Sequence, residues 1–370
     1  MEHQITVVGV KILKNFMKDV FIKLGSPESD AEICADVLIS SDLRGIESHG
    51  VQRLKMYYDR IKAGIQTATT NITVIKETPT TARLDAGHGM GHVAAFRGME
   101  LAIKKAKEFG TGAVSVGNST HFGIAGYYSL MAVNEGMIGI TCTNARPSIA
   151  PTFGTDPMMG TNPLTIGIPT DEKFPFIFDA ATSITQRGKI EVLARTNTPV
   201  PKGWVINSNG ELATDSKNIL EELITGKAAL LPLGGAGEIL GGHKGYGFAV
   251  TVEILSSALS NGPFMKDLTL EKGYKLGHFF IAINVENFLP LDTFKNIAGN
   301  IMRELRNSKT APGQERIFTA GQKEYEMELI RQKKGIPVNQ SIVKDLQILQ
   351  EELGLRNYSF IQAESEKLDG

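Results

Sequence analysis

Gly87-His88-Gly89-Met90-Gly91 is the stretch on which the fold turns. A dinucleotide site of the usual Rossmann kind needs G-x-G-x-x-G between a strand and a helix, so that backbone approaches a pyrophosphate at the helix N-terminus. Here the glycines alternate with single residues, and that spacing is wrong. Outward from it, 72–76 and 81–84 read as a hairpin and 93–109 as a helix. Strand 112–117, helix 123–135, strand 137–143 and strands at 164–168 and 176–178 follow. After a loop region, 244–260 is the longest apolar helical segment. Strand 279–285, helix 292–307, strand 316–319 and two terminal helices complete the chain. On the N-terminal side, 6–24 reads as a helix closed by Gly25. Ser26-Pro27 opens a second, to about Leu43, with Ser26 as N-cap. A third runs from about Val51 to Ala63. The interleaving predicts an α/β chain. The three segments expected are 1–70, 71–290 and 291–370, the last mostly helical and packed with the first.

The 370 residues suit two or three packed domains, and no repeat or Ser/Pro-rich linker divides them. The 39 basic and 40 acidic residues leave no excess to release counterions from nucleic acid or to bind a membrane surface. Cys34 and Cys142 sit in apolar patterns and read as small core residues of a reducing compartment. Met1-Glu2-His3-Gln4 lacks a basic n-region, and no apolar run nears the ~20 residues of a membrane span. A cytoplasmic protein is expected. Of seven histidines only His88 and His92 stand at i, i+4, without a nearby acidic partner, so no metal site is expected. Gly237 to Gly242 has P-loop glycine spacing, but His243 stands where the lysine belongs.

Four constellations carry chemistry. Ser48-His49-Gly50 with Arg53 puts a histidine in a glycine-flanked turn, suited to proton exchange with an alcohol. Arg53 stands one turn on, with a fork that matches a carboxylate. The alternative is a capping Ser48 beside an incidental surface histidine. Gly117 to Gly123, around His121, sits at a strand end before a helix whose N–H groups suit a phosphate. The alternative is an ordinary turn. Gly160-Thr161-Asn162-Pro163, then Asp179-Ala180-Ala181-Thr182 and Arg187-Gly188, offer small residues to a flat ring or ribose, or are plain turns. Gly241-Gly242-His243-Lys244-Gly245 offers a helix start and a cation to a phosphate, or is a close-packing segment.

These residues, in this order, resemble the malate/L-lactate dehydrogenase family of the non-Rossmann type. That family spans malate, sulfolactate and ureidoglycolate dehydrogenases, diketogulonate reductase and a cyclic imino-acid reductase. The resemblance rests on Asp42-Leu43-Arg44-Gly45 through Ser48-His49-Gly50, on Asn118 to Gly123, on Gly160 to Pro163, on Asp179 to Ser183 and on Gly242 to Gly245. It implies a cofactor domain with a largely antiparallel sheet plus a helical domain from both chain ends. It also implies a homodimer with its active site near the subunit contact. His49 would exchange the substrate proton with Ser48 as relay, although some members use the equivalent of His121. Arg53 would hold the substrate carboxylate, and Thr161, Arg187 and Gly188 would face the substrate. His121, Phe122, Gly123, Ile124, Ala125, Asp179, Ala180, Ala181, His243 and Lys244 would line NAD or NADP.

The chain departs from the family pattern in places: Ala320-Gly321-Gln322 replaces a Gly-Glu pair, and Lys189 follows Arg187-Gly188 where some members are acidic. Ala145-Arg146 replaces a Ser-Asp of ureidoglycolate-type members. An arginine there attracts a second anionic group, which points to malate/oxaloacetate. Sulfolactate, lactate and imine or diketo-acid reduction are the alternatives. An inactive nucleotide-binding paralogue is the non-enzyme one.

Overall fold

The computed structural model describes residues 5–271 and 273–360. Met1-Glu2-His3-Gln4 and 361–370 lie outside the described residues. The chain forms two compact units. One combines the residues up to Thr70 with those from Gly321 onward, and the other is Asn71–Ala320.

The first unit begins with β1 (Ile5–Val8), α1 (Val10–Lys23) and α2 (Glu28–Leu43). Two short 3-10 turns, Glu47–His49 and Val51–Arg53, lead into α3 (Leu54–Lys62). The helix expected over 6–24 is therefore split. The β-branched run Ile5-Thr6-Val7-Val8 is extended because a strand from the far chain end pairs with it. Ser26 is not the cap of α2. Pro27 holds that position, and Ser26 Oγ donates to the Ala68 carbonyl at 2.8 Å.

The second unit runs β2 (Thr73–Glu77), β3 (Thr81–Asp85), α4 (Gly91–Phe109), β4 (Thr111–Ser119), α5 (Ala125–Asn134), β5 (Met137–Thr143), β6 (Leu164–Ile168) and β7 (Phe176–Ala180). It continues through α6 (Arg187–Arg195), β8 (Val205–Asn207), α7 (Ser216–Thr225), β9 (Ala228–Leu230), α8 (Gly242–Glu253), β10 (Leu276–Asn284) and α9 (Leu291–Asn307). The chain then returns to the first unit with α10 (Gln322–Lys334), β11 (Ile336–Asn339) and α11 (Gln340–Glu352).

Seven strands make the main sheet, in the order β2-β3-β4-β10-β5-β6-β7. Only β3 and β4 are parallel, joined by α4 as crossover; every other pair is antiparallel. The largely antiparallel cofactor-domain sheet is thus present. A doubly wound nucleotide fold would need a run of parallel strands. Central β10 is buried from Leu276 to Phe280. Helix α4 lies so close that a Cβ on Gly98 would stand 2.8 Å from the Phe280 ring.

Three sequence expectations change here. The boundary falls at 320/321, not 290/291, because α9 is clamped within the second unit. Arg303 forks onto Asp171 at 2.9 and 3.1 Å, and Arg306 reaches Glu172 at 2.7 Å and Thr319 at 3.2 Å. No strand forms over 316–319. The region expected as loop before α8 carries α6, β8, α7 and β9 around their own core of Ile190, Val200, Val205, Ile219 and Leu230. Asp215 caps α7, accepting from the Lys217 and Asn218 N–H groups, and left-handed Gly226 ends it.

Candidate active site

In the first unit the turn after α2 presents the histidine. Ser48 Oγ and His49 Nδ1 stand 2.8 Å apart. Arg53 Nε donates to the Ser48 carbonyl at 2.6 Å, which ties the arginine back to the turn it follows. Gly50 is required here. A Cβ at that position would overlap the Asp42 carboxylate. That carboxylate comes from the last turn of α2, is fully buried, and accepts the Val51 N–H at 2.8 Å.

Crowding sets the electrostatics. Burial pushes the His49 imidazole down to about 4, and the Arg53 guanidinium pushes the same way. An edge of the residue nevertheless stays accessible to solvent. Burial raises the Asp42 carboxyl to about 7. The Val51 N–H and Arg331 oppose that rise, and Glu47 adds to it. His49 is therefore a neutral base at neutral pH, held at Nδ1 by a hydroxyl.

In the second unit Gly87–Gly91 packs on the β4–α5 turn. A Cβ on Gly91 would overlap the Thr120 and His121 carbonyls. Thr120 Oγ accepts the Gly91 N–H and donates to the Gly89 carbonyl, both at 2.9 Å. His121 Nδ1 accepts from the Gly123 N–H at 3.4 Å, and Gly123 takes a left-handed φ of 79°. Phe122 stacks on buried His278, with centroids 4.6 Å apart and planes 13° apart. His278 is itself held between Thr143 Oγ1 at 2.7 Å and Ser119 Oγ at 2.8 Å. The N-terminus of α5, expected to suit a phosphate, is already served. Asp179 accepts the Gly126 N–H at 2.8 Å with one oxygen and the Thr165 hydroxyl at 2.8 Å with the other. A phosphate there would meet that carboxylate.

The remaining candidates divide between scaffold and surface. Asn162 is buried and left-handed, with φ 35°. It donates to Glu253 at 2.7 Å and accepts the Ala145 N–H at 3.2 Å. Buried Glu253 also accepts the Met265 N–H at 3.1 Å. The Thr161 carbonyl accepts from the Thr182 N–H and hydroxyl. Arg187 pairs with Glu191 at 3.0 Å, and Gly188 is exposed with open space where a Cβ would be. Arg146 is exposed.

Helix α8 starts at a glycine knot. A Cβ on Gly242 would overlap the Gly235 carbonyl, and one on Gly245 the Leu233 carbonyl. His243 and Lys244 are left exposed. They line an open cleft of about 460 Å³ with Glu238, Leu240 and Phe248.

The sequence profile described as malate/L-lactate dehydrogenase matches residues 8–347. The chain belongs to the malate/L-lactate dehydrogenase family. It is 47% identical to a malate dehydrogenase of Pyrococcus abyssi, across 93% of this chain and 94% of that one. It is 38% identical to an L-sulfolactate dehydrogenase of Methanocaldococcus jannaschii, across 94% and 98%. The crystal structure of malate dehydrogenase from Entamoeba histolytica superposes with a TM-score of 0.92 at 48% identity, covering 95% of this chain and 99% of that one.

The protein is a hydroxy-acid dehydrogenase and uses a nicotinamide cofactor. The residues fit one. Glycine-capped α8 has no side-chain acceptor at its N-terminus, and Lys244 and an apolar wall stand beside it. The buried Ser183 and Thr185 hydroxyls, just past Ala181, have no hydrogen-bond partner among the described residues. Such donors suit a ligand with phosphates and ribose hydroxyls. No described helix is long and apolar enough to cross a membrane. Sequence reasoning assigned no role to Asp42, Glu253 or His278. The one local signal was Gly50, eight residues after Asp42, where only a glycine leaves room for the carboxylate.

Proposed function

We propose that this chain interconverts malate and oxaloacetate with NAD or NADP, as a cytoplasmic homodimer. The observation that carries the reading is 47% identity to a malate dehydrogenase along 93% of the chain. The bound nicotinamide supplies the hydride acceptor for the carbinol carbon, and its reduced form the donor. His49, neutral at neutral pH, takes the hydroxyl proton in the oxidative direction and returns it in the other. Ser48 holds its Nδ1. Arg53 spends Nε on the Ser48 carbonyl, which leaves its two terminal nitrogens for the carboxylate beside the reacting carbon. His121 to Ala125, Ala180, Ala181, His243 and Lys244 line the cofactor, with Asp179 bracing α5 behind them. Thr161, Arg187 and Gly188 face the substrate.

Arg146 receives the second carboxylate. It is exposed, where an anion can reach its guanidinium. Two observations support the remaining assignments. Cys34 and Cys142 are buried free thiols, as suits a reducing compartment. Ile297, Ile301 and Leu305 form an exposed i, i+4, i+8 apolar stripe on α9, which a second copy would cover.

Turnover of oxaloacetate, pyruvate and sulfopyruvate with each reduced cofactor tests the assignment. Oxaloacetate is expected to give the highest kcat/KM; a preference for pyruvate or sulfopyruvate overturns the malate reading. Arg146→Ala is expected to lower kcat/KM for oxaloacetate by about 10- to 100-fold and barely touch pyruvate. Equal losses remove Arg146 from the substrate.

A further inference from the structure

The turn that carries His49 is gripped from both sides, by a carboxylate from the preceding helix and by an arginine remote in sequence. On its C-terminal side the buried Asp42 carboxylate accepts the Val51 N–H at 2.8 Å and fills the space that a Gly50 side chain would need. On its N-terminal side Arg331 of α10 donates to the Glu47 carboxylate, and the same guanidinium donates to the Asp42 carbonyl. One buried arginine therefore links both anchors. Around it, Glu328 pairs with Arg44 at 3.2 Å, and the Met327 side chain would stand 3.0 Å from a Cβ on Gly45. Residues 327, 328 and 331 lie on one face of α10 and meet the end of α2 where the turn begins. Inside the turn, the His49 N–H reaches the Ile46 carbonyl at 3.0 Å, and Ser41 Oγ donates to that carbonyl at 2.7 Å. His49 is thus the one ionisable ring in a backbone segment whose two ends are both pinned.

A charge is costly to bury unless it does something the neutral form cannot. Burial raises Asp42 to about 7, so its ionised form is expensive here. An alanine would avoid that cost and would remove the three atoms nearest to a Cβ at residue 50. The fold keeps the carboxylate and the glycine together, and the structural return is a fixed path for residues 49–51.

We propose that Asp42 and Arg331, acting through Val51 and Glu47, are positioning residues that hold the His49 ring in line for proton exchange with the substrate. This rests on the acid–base role given to His49 above. A small misplacement of a catalytic base costs rate while leaving ligand binding alone. The clamp therefore has a kinetic signature that general bracing lacks.

The test is a set of variants assayed in the holoenzyme. Asp42→Ala is expected to lower kcat about 10- to 100-fold with cofactor affinity within about twofold. Asp42→Asn keeps an oxygen for the Val51 N–H and restores kcat to within about threefold of wild type. In a His49→Ala background, Asp42→Ala is expected to cost no further kcat, since it acts through that ring. Losses that multiply, or a parallel loss of cofactor affinity, overturn the clamp. Should Asp42→Ala fail to fold, Glu47→Ala, whose side chain is half exposed, releases the other anchor. It is expected to lower kcat about two- to fivefold at unchanged cofactor affinity, and an unchanged kcat overturns the proposal. If His49→Ala leaves kcat intact, the acid–base reading itself falls. If His49→Ala collapses kcat but none of the clamp variants lowers it, only the clamp falls.

Discussion

The turn at Ser48–Arg53 and the turn at Gly241–Gly245 look alike in sequence and sit in different surroundings. Both pair a histidine with at least one glycine and a basic residue. In the first, the missing Cβ of Gly50 admits a side-chain carboxylate, and the neighbouring histidine is crowded until its imidazole falls to about 4. In the second, the missing Cβ atoms of Gly242 and Gly245 admit the chain's own backbone, the Gly235 and Leu233 carbonyls. Its His243 and Lys244 remain in solvent. A glycine cluster thus reports close approach without saying what approaches. Reactivity arises where a titratable group is pushed out of water, and binding capacity where charges are held at its edge.

The strongest way to break this contrast is to remove the crowded ring. His49→Ala is expected to lower kcat about 10²- to 10⁴-fold while the cofactor Kd, read by fluorescence quenching, stays put. If His121→Ala does this instead, proton exchange belongs to the second unit. Next, Gly242→Ala is expected to cost about 2–4 kcal/mol, read by thermal unfolding, because the new Cβ meets two backbone carbonyls that cannot rotate away. Gly247→Ala, five residues on, meets nothing and is expected to stabilise α8 by up to about 1 kcal/mol. Equal effects at the two positions would show that the knot is not what requires glycine.

A third variant tests the cleft. Lys244→Ala is expected to weaken cofactor binding about tenfold and leave kcat at saturation nearly unchanged. A fall in kcat at unchanged Kd would move Lys244 from cofactor to chemistry. The smallest effect is in pH. His49, His92 and His278 are held at about 4, 3 and 3 by burial, below the ordinary 6.5. Each therefore contributes stability that is fully present above 6.5 and is lost as pH falls toward those values. Asp42, raised from 3.8 to about 7, contributes in the opposite sense: its share is present below 3.8 and lost as pH rises through 7. With three groups against one, Tm is expected to drop by about 1–3 °C between pH 7 and 6. A rise over that interval would mean that Asp42 outweighs the buried histidines.

Local pattern made much of this legible. Strands β5 and β6 fall where their short apolar runs put them, and α9 starts one residue before its expected position. Ser48 and His49 are chain neighbours, so their pairing needed no tertiary knowledge. The failures are the non-local ones. β1 needs β11, whose residues lie over three hundred positions away. Nothing in the segment around Asp179 reveals that the Gly126 N–H donates to it. Signals for the α6–β9 region were present in Asp215 and Gly226, but the segments between them are short and weakly periodic.

By itself the sequence determined the absence of a Rossmann fingerprint, the alternation of helices and strands, the family, and the small set of candidate residues. These depend on residue type and on spacing along the chain. The tertiary structure alone decided which of those residues is crowded out of water and which stays in solvent. A histidine's proton affinity depends on what surrounds it in space, and for His49 that includes Arg53 nearby and burial that no local spacing encodes. The path of its turn depends on Arg331, nearly three hundred residues later, and the buried charge of Asp42 exists only because the fold closes over it.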